Sequence, residues 1–237
     1  MIDFQNKKIM IIVAHPDDEL LGLGGTMHKL ISEKNSLSHV LILGEGITSR
    51  SNNHDVEKWK KELDIHAYNI KQAQEVIGYH SISTFSLPDN RFDSIPLLDL
   101  IKIIEEEINK FLPDIIFTHH GGDLNIDHQR TFEATMTACR PMENESINTI
   151  ITFETPSGTE WQASSDPRKF NPNFFVEISK KDIEKKCKAM EYYEFEKRSF
   201  PHPRSSKALM LRAQMWGISN AVGYAEAFQI IRLIYKK

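Results

Sequence analysis

Only two cysteines, Cys139 and Cys187, occur in 237 residues. They stand far apart, each within a helix-like pattern. Neither a disulfide framework nor a cysteine-ligated zinc site is therefore expected, and a reducing, cytoplasmic setting fits best. No run of about 18 apolar residues is present, which argues against stable membrane insertion. The opening stretch MIDFQNKK lacks the apolar segment and small-residue cleavage site of a secretory signal. Positive charge is also in short supply. The 29 Lys and Arg residues against 33 Asp and Glu leave a formal net charge of −4, so no broad basic field draws the chain to nucleic acid or to an anionic membrane. Internal repeats and low-complexity tracts are missing as well.

What is present is a rhythm. Residues 8–14 form a continuous Ile- and Val-rich run, as expected of a parallel strand buried on both faces. Residues 19–33 follow with Leu20, Leu23, Met27, Leu30 and Ile31 at helical spacing. Further strands are expected at 38–44, 84–87 and 114–119, and helices at 55–77 (in its later part), 97–111 and 127–140. Beyond that the pattern changes. Strand candidates at 147–155 and 173–178 flank a long polar loop, helices are expected at 180–197 and 206–219, and a strand-like tail covers 228–235. The alternation implies an α/β, Rossmann-like fold: a mostly parallel sheet covered by helices on both faces, with strand and helix additions at the C-terminal end. We expect a single domain over 1–237, in which 1–140 carries the chemistry and 141–237 shapes the pocket. Ligands of such sheets bind beyond the carboxyl ends of the strands, so the residues after Ala14, Leu43 and Thr118 carry the interest.

The first strand runs into Ala14-His15-Pro16-Asp17-Asp18-Glu19. His15 and Asp18 are three apart, so one helical turn can aim both at a single point while Asp17 faces elsewhere. Imidazole nitrogen and carboxylate oxygen suit a catalytic zinc with one position left open. A plain Asp-rich helix start, with carboxylates capping backbone N–H groups, explains either aspartate alone. It does not explain the group together with His15. After the strand at 114–119 comes a second cluster, Thr118-His119-His120-Gly121-Gly122-Asp123-Leu124-Asn125-Ile126-Asp127-His128. Any of its three histidines can supply a third ligand, and Asp127 alone reads as the cap of the next helix.

A hydrophobic strand ending in AHPDDE, with an Asp-His pair opening a later helix, resembles the LmbE-like (PIG-L) N-deacetylases. The run from Leu21 to Gly25 and the Gly44-Glu45-Gly46 turn are similar to that family too. The resemblance covers roughly residues 8–140. It implies zinc held by His15, Asp18 and His128, with Asp17 as general base in hydrolysis of an N-acetylated amino sugar or sugar nucleotide. Many members carry a histidine three residues before the last ligand, where it assists the oxyanion. This chain has Asn125 there, so His120 or His202 is the candidate to take over that role.

Other positions belong to the substrate by expectation. Arg50 and Arg91 follow strands and can grip a phosphate in bidentate fashion. Asp127 is placed with the substrate-binding group. Trp161, in the long loop, can stack on a sugar ring, and Arg204, in the proline-fixed segment 200–206, can reach over the site with His202. A sugar–thiol metabolite is an alternative substrate for the same centre. A non-catalytic sugar- or nucleotide-binding module is the alternative from another class, against which the free base Asp17 argues. A magnesium phosphohydrolase fits poorly, because magnesium prefers an all-oxygen shell. The sequence leaves open whether the chain forms a homo-oligomer.

Overall fold

The computed structural model describes residues 2–142 and 146–235. Seven strands run through it: β1 (Lys8–Val13), β2 (Leu37–Gly44), β3 (Ser81–Leu87), β4 (Ile115–His119), β5 (Thr149–Phe153), β6 (Phe174–Glu177) and β7 (Ala225–Leu233). Six helices accompany them: α1 (Asp18–Lys34), α2 (Lys60–Ile77), α3 (Leu97–Phe111), α4 (Ile126–Ala138), α5 (Lys180–Tyr192) and α6 (Ser206–Ser219). The strands make one sheet in the order β3-β2-β1-β4-β5-β7-β6. The first five are parallel to one another, whereas β7 runs antiparallel to both β5 and β6.

Period-two alternation sorts the central strands onto two cores. Ile9, Ile11 and Val13 of β1 share one cluster with Leu20 and Leu23 of α1, Ala73 of α2 and Met190 of α5. Met10 and Ile12 enter the opposite cluster with Leu100 and Ile104 of α3 and Ala134 of α4. Burial on both faces accounts for the unbroken apolar runs in the sequence. Among the described residues no helix is long and apolar enough to cross a membrane.

The strand order reverses between β1 and β4. In an open α/β sheet that reversal leaves a crevice beyond the strand ends, because the connections leave in opposite directions. Residues 14–18 and 119–128 flank this crevice.

Three boundaries differ from the sequence expectation by three residues or more. Strand β3 starts at Ser81 rather than 84, since its position at the sheet edge tolerates polar residues that dilute the strand signal. Helix α5 stops at Tyr192 rather than 197. Strand β7 starts at Ala225 rather than 228.

Candidate active site

The turn from β1 into α1 is braced by its own carboxylates. Asp18 Oδ2 accepts the His15 N–H at 2.8 Å, and Glu19 Oε2 accepts the Asp17 N–H at 3.0 Å. The Asp17 carbonyl takes the Leu20 and Leu21 N–H groups at 2.9 Å each. The Asp17 side chain does no capping, and its backbone sits at φ 105°, ψ −26°, a region that L-residues avoid. This conformation turns its carboxylate away from the helix end and into the cavity.

Asp18, His15 and His128 converge. His15 Nδ1 lies 3.5 Å and His128 Nε2 3.4 Å from Asp18 Oδ2, and the donor atoms of the three residues all fall within 4.8 Å of one another. The far nitrogen of each ring faces a carboxylate. His15 Nε2 donates to Asp127 Oδ2 at 2.8 Å, which leaves the Nδ1 lone pair for the shared point. His128 Nδ1 is 3.0 Å from Asp123 Oδ1 but off the line that a hydrogen bond needs, so that contact is electrostatic. Asp18 Oδ1 is buried without any hydrogen-bond partner among the described residues. A bare buried carboxylate oxygen beside two imidazole nitrogens, each ring oriented by an acid behind it, is the donor set of a divalent metal. A second grouping, His15, Asp89 and Asp127, is better read as a hydrogen-bond network. Both oxygens of Asp127 are occupied there, by the Asn90 and Phe92 N–H groups as well as by His15.

Charge follows this geometry. Burial alone would raise Asp18, but the His128 and His119 imidazoles outweigh it and hold the acid well below the usual carboxylate range. Burial pulls His128 down, while Asp18 and Asp123 more than reverse this and lift it to about 9. His119 is lowered to about 4 by burial and by its neighbour His128, on which it stacks at 4.0 Å. Its Nε2 accepts the Ala14 N–H and its Nδ1 faces Thr155 Oγ1 at 3.0 Å, so it buttresses the centre as a neutral ring. Asp17 is raised well above the usual range, by burial first, against the opposing pull of Arg204.

A polar cavity of about 250 Å³ opens on this cluster, and its lining includes His15, Asp17, Asn125, Trp161, His202 and Arg204. Asn125 caps α4 with Oδ1, which accepts the Asp127 N–H. Trp161 is half exposed and meets the His202 ring edge-on at 5.6 Å. Arg50 also lines the cavity, but its guanidinium donates to Glu196 Oε1 and to the Phe195 carbonyl.

Three residues expected to meet the substrate or the oxyanion are not brought to the cavity. His120 turns its Nε2 to the Arg168 carbonyl at 2.7 Å and packs on Phe170. Arg91 donates to the Asn52 carbonyl and does not line the cavity. Asp127 is fully buried, so it holds His15 instead of meeting a substrate. Residues that the sequence did not single out take part. Glu196 ties Arg50 to Arg204; Asp89 accepts the Ser49 N–H and hydroxyl; His66 of α2 lines the wall. Asp89 was discoverable, since it follows β3 at the same sheet edge, whereas nothing local marks Glu196 or His66.

The PIG-L family, described as GlcNAc-PI de-N-acetylase, matches residues 10–139, more than half of the chain. The chain belongs to the PIG-L family. It is thus a metal-binding N-deacetylase, a hydrolase of amide C–N bonds. A deacetylase of Escherichia coli K12, YaiS, itself uncharacterized, is 28% identical over 158 residues, covering 65% of this chain and 76% of that one. Two solved structures share the fold. The N,N'-diacetylchitobiose deacetylase of Pyrococcus horikoshii superposes with TM-score 0.74 at 20% identity, covering 95% of this chain and 84% of that one. The 4-carboxy-2-hydroxymuconate hydratase GalB of Pseudomonas putida KT2440 does so with TM-score 0.74 at 18% identity, covering 98% of each. One architecture thus serves a hydrolase and a hydratase, so the architecture alone does not choose the reaction. For this PIG-L chain, family membership does.

Proposed function

We propose that the chain removes the N-acetyl group from an N-acetylglucosaminyl-type amino sugar or sugar nucleotide, with Zn2+ held by His15, Asp18 and His128. One observation carries this reading: a buried carboxylate, Asp17, paired with Arg204 and with none of the three donors, lines a polar cavity beside the His15–Asp18–His128 cluster. Binding alone requires no such base. The hydrogen bond from His15 to Asp127 matches zinc sites, where a ligand histidine gives its second N–H to a carboxylate or carbonyl, and Asp123 faces His128 from 3.0 Å. At such a donor set zinc supplies Lewis acidity toward an acyl carbonyl and lowers the pKa of a water from 15.7 toward about 7.

The chain's own residues then account for the proton movements. Asp17 accepts a proton from water as the water oxygen bonds to the acyl carbon and the carbonyl π pair moves onto its oxygen. When the C–N bond breaks, that pair re-forms the carbonyl and Asp17 returns the proton to the leaving nitrogen, giving acetic acid and the free amine. Trp161 presents an aromatic face at the cavity for the sugar ring. A neighbour of the same fold that deacetylates N,N'-diacetylchitobiose supports an amino-sugar substrate. Arg91 is turned away, and Arg50, although it lines the cavity, has its charge already paired with Glu196.

The test is metal analysis of the purified protein combined with a free-amine release screen over N-acetyl sugars and their nucleotide conjugates. Amine release by zinc-loaded protein that a chelator abolishes supports the reading. Bound zinc with no release from any N-acetyl sugar overturns it.

A further inference from the structure

Asn125 caps the start of α4 and lines the cavity, at the position where the family resemblance leads to the expectation of a histidine. Its Oδ1 is committed to the Asp127 N–H, so only a neutral amide N–H₂ remains. His120 is tied to the Arg168 carbonyl. His202 accepts the Arg204 N–H on Nδ1, and burial with two nearby arginines lowers its pKa. None of the three brings a fixed positive charge.

Arg204 does. Its Nε donates to Ser157 Oγ at 2.7 Å, and its Nη1 donates to Glu196 Oε2 at 2.7 Å and to Asp17 Oδ2 at 3.1 Å. Its Nη2 has no partner among the described residues, and the side chain, 22% exposed, lines the cavity. One guanidinium is therefore clamped on two sides and touches the base, while two N–H donors stay free. Donors fixed before the reaction stabilise developing charge without reorganisation cost.

We infer that Arg204 is a catalytic residue, whose Nη2 donates to the carbonyl oxygen of the scissile amide as negative charge builds there. It thereby supplies the cation that Asn125 cannot. The inference rests on the deacetylase reading. As water attacks, the carbonyl π pair becomes an oxygen lone pair facing Nη2, and the water proton passes to Asp17. As the C–N bond breaks, the lone pair re-forms the carbonyl and the proton moves to nitrogen. Arg204 stays protonated throughout.

The test compares wild type, Arg204→Met, Arg204→Lys and the double variant Asn125→His/Arg204→Met, all zinc-loaded, by amine release with kcat and KM resolved. Removing one such donor costs about 10²–10³ in kcat, so Arg204→Met should lose that much with KM changed less than about threefold. A histidine at 125 cannot re-seat Asp17, but it restores a chargeable donor at the helix start. The double variant should therefore regain at least about tenfold over Arg204→Met. If Arg204→Met keeps kcat within about threefold, loses only in KM, or gains nothing from Asn125→His, the assignment is overturned while the deacetylase reading stands. If Arg204→Met fails to fold, Arg204→Lys decides. It keeps the charge but lacks the second nitrogen, and kcat within about threefold of wild type refutes the proposal. No amine release by wild type on any acyl sugar sinks the deacetylase reading and this inference with it.

Discussion

Asp127→Asn separates a residue that positions a ligand from one that binds substrate. The carboxylate accepts three bonds without exposure to solvent: Asn90 N–H at 2.6 Å and His15 Nε2 at 2.8 Å on Oδ2, and Phe92 N–H at 2.9 Å on Oδ1. Asparagine has one acceptor oxygen. With that oxygen at the Oδ2 position, its NH₂ group confronts the Phe92 N–H, a buried donor pair costing about 1–3 kcal/mol. In the other orientation the NH₂ group faces both Asn90 N–H and His15 Nε2–H. His15 escapes that clash only by moving its proton to Nδ1, the nitrogen aimed at Asp18 and His128.

Either way the imidazole loses a charged acceptor, and charge-assisted bonds are roughly twice as strong as neutral ones. Losing such an orienting acid typically costs about 10–100-fold in metal affinity, or about 1.4–2.8 kcal/mol. Competition of each protein with a chromophoric chelator for zinc reads this directly, with KM measured at saturating zinc. Zinc affinity within about twofold of wild type, together with a raised KM, would refute the positioning argument and return Asp127 to the substrate.

Further outcomes follow from other contacts. Asp17→Asn should lower kcat by about 10²–10⁴, the usual worth of a general base, while atomic absorption finds zinc content unchanged; full activity would remove Asp17 from that role. A Cβ at Gly22 would meet three atoms of the Phe153 ring at 2.2, 2.5 and 2.6 Å, so Gly22→Ala should destabilise by about 1–3 kcal/mol. At about 2–4 °C per kcal/mol for a chain of this size, a calorimetric melting temperature unchanged within 1 °C, on the order of the smallest shift so expected, would contradict the packing. His66 is lowered from 6.5 to about 4, by burial above all. Its folded pKa lies below the unfolded one, so its contribution is full above about pH 6.5 and fades as pH falls through about 4, amounting to about 3 kcal/mol. His66→Phe should remove about that much from the difference in urea-unfolding free energy between pH 7 and pH 4, and an unaltered difference would show that the ring titrates normally.

The parallel strands were legible because burial on both faces forces a continuous apolar run, as in Ile9–Val13 of β1. The proposed ligand cluster was legible in part: His15 and Asp18 stand out by residue type and spacing at the end of β1, whereas the choice of His128 among three histidines came from the family resemblance. Direction was not legible. Nothing in the sequence shows whether Asp127 looks at solvent or at His15, because that depends on the loop carrying Asn90 and Phe92, from another part of the chain. The end of α5 was hidden for a related reason. Residues 193–197 have ordinary helical composition, but Tyr193 leaves the helix and its hydroxyl donates to Glu19 Oε1 at 2.7 Å. That tertiary bond frees the stretch in which Glu196, His202 and Arg204 reach the cavity, so the pairing of Arg204 with Asp17 had no local signature.

The same bond bears on why the chemistry draws on chain beyond the family match at residue 139. Asp17 sits at φ 105°, a conformation that costs an L-residue on the order of 1–3 kcal/mol and persists only where its surroundings over-determine it. Glu19 is one of those surroundings. It accepts the Asp17 N–H with one oxygen and is itself pinned by Tyr193 through the other. On the opposite side Asp123, which faces His128, accepts the Thr159 hydroxyl at 2.6 Å. Gly158 lets that loop approach, since a Cβ there would fall 2.7 Å from Asp123 Oδ1. Asp17 and His128, the proposed base and one proposed ligand, are thus each steadied by a residue from the later part of the chain. Detaching residues 141–237 would remove the cavity wall and also release the strained turn that aims Asp17.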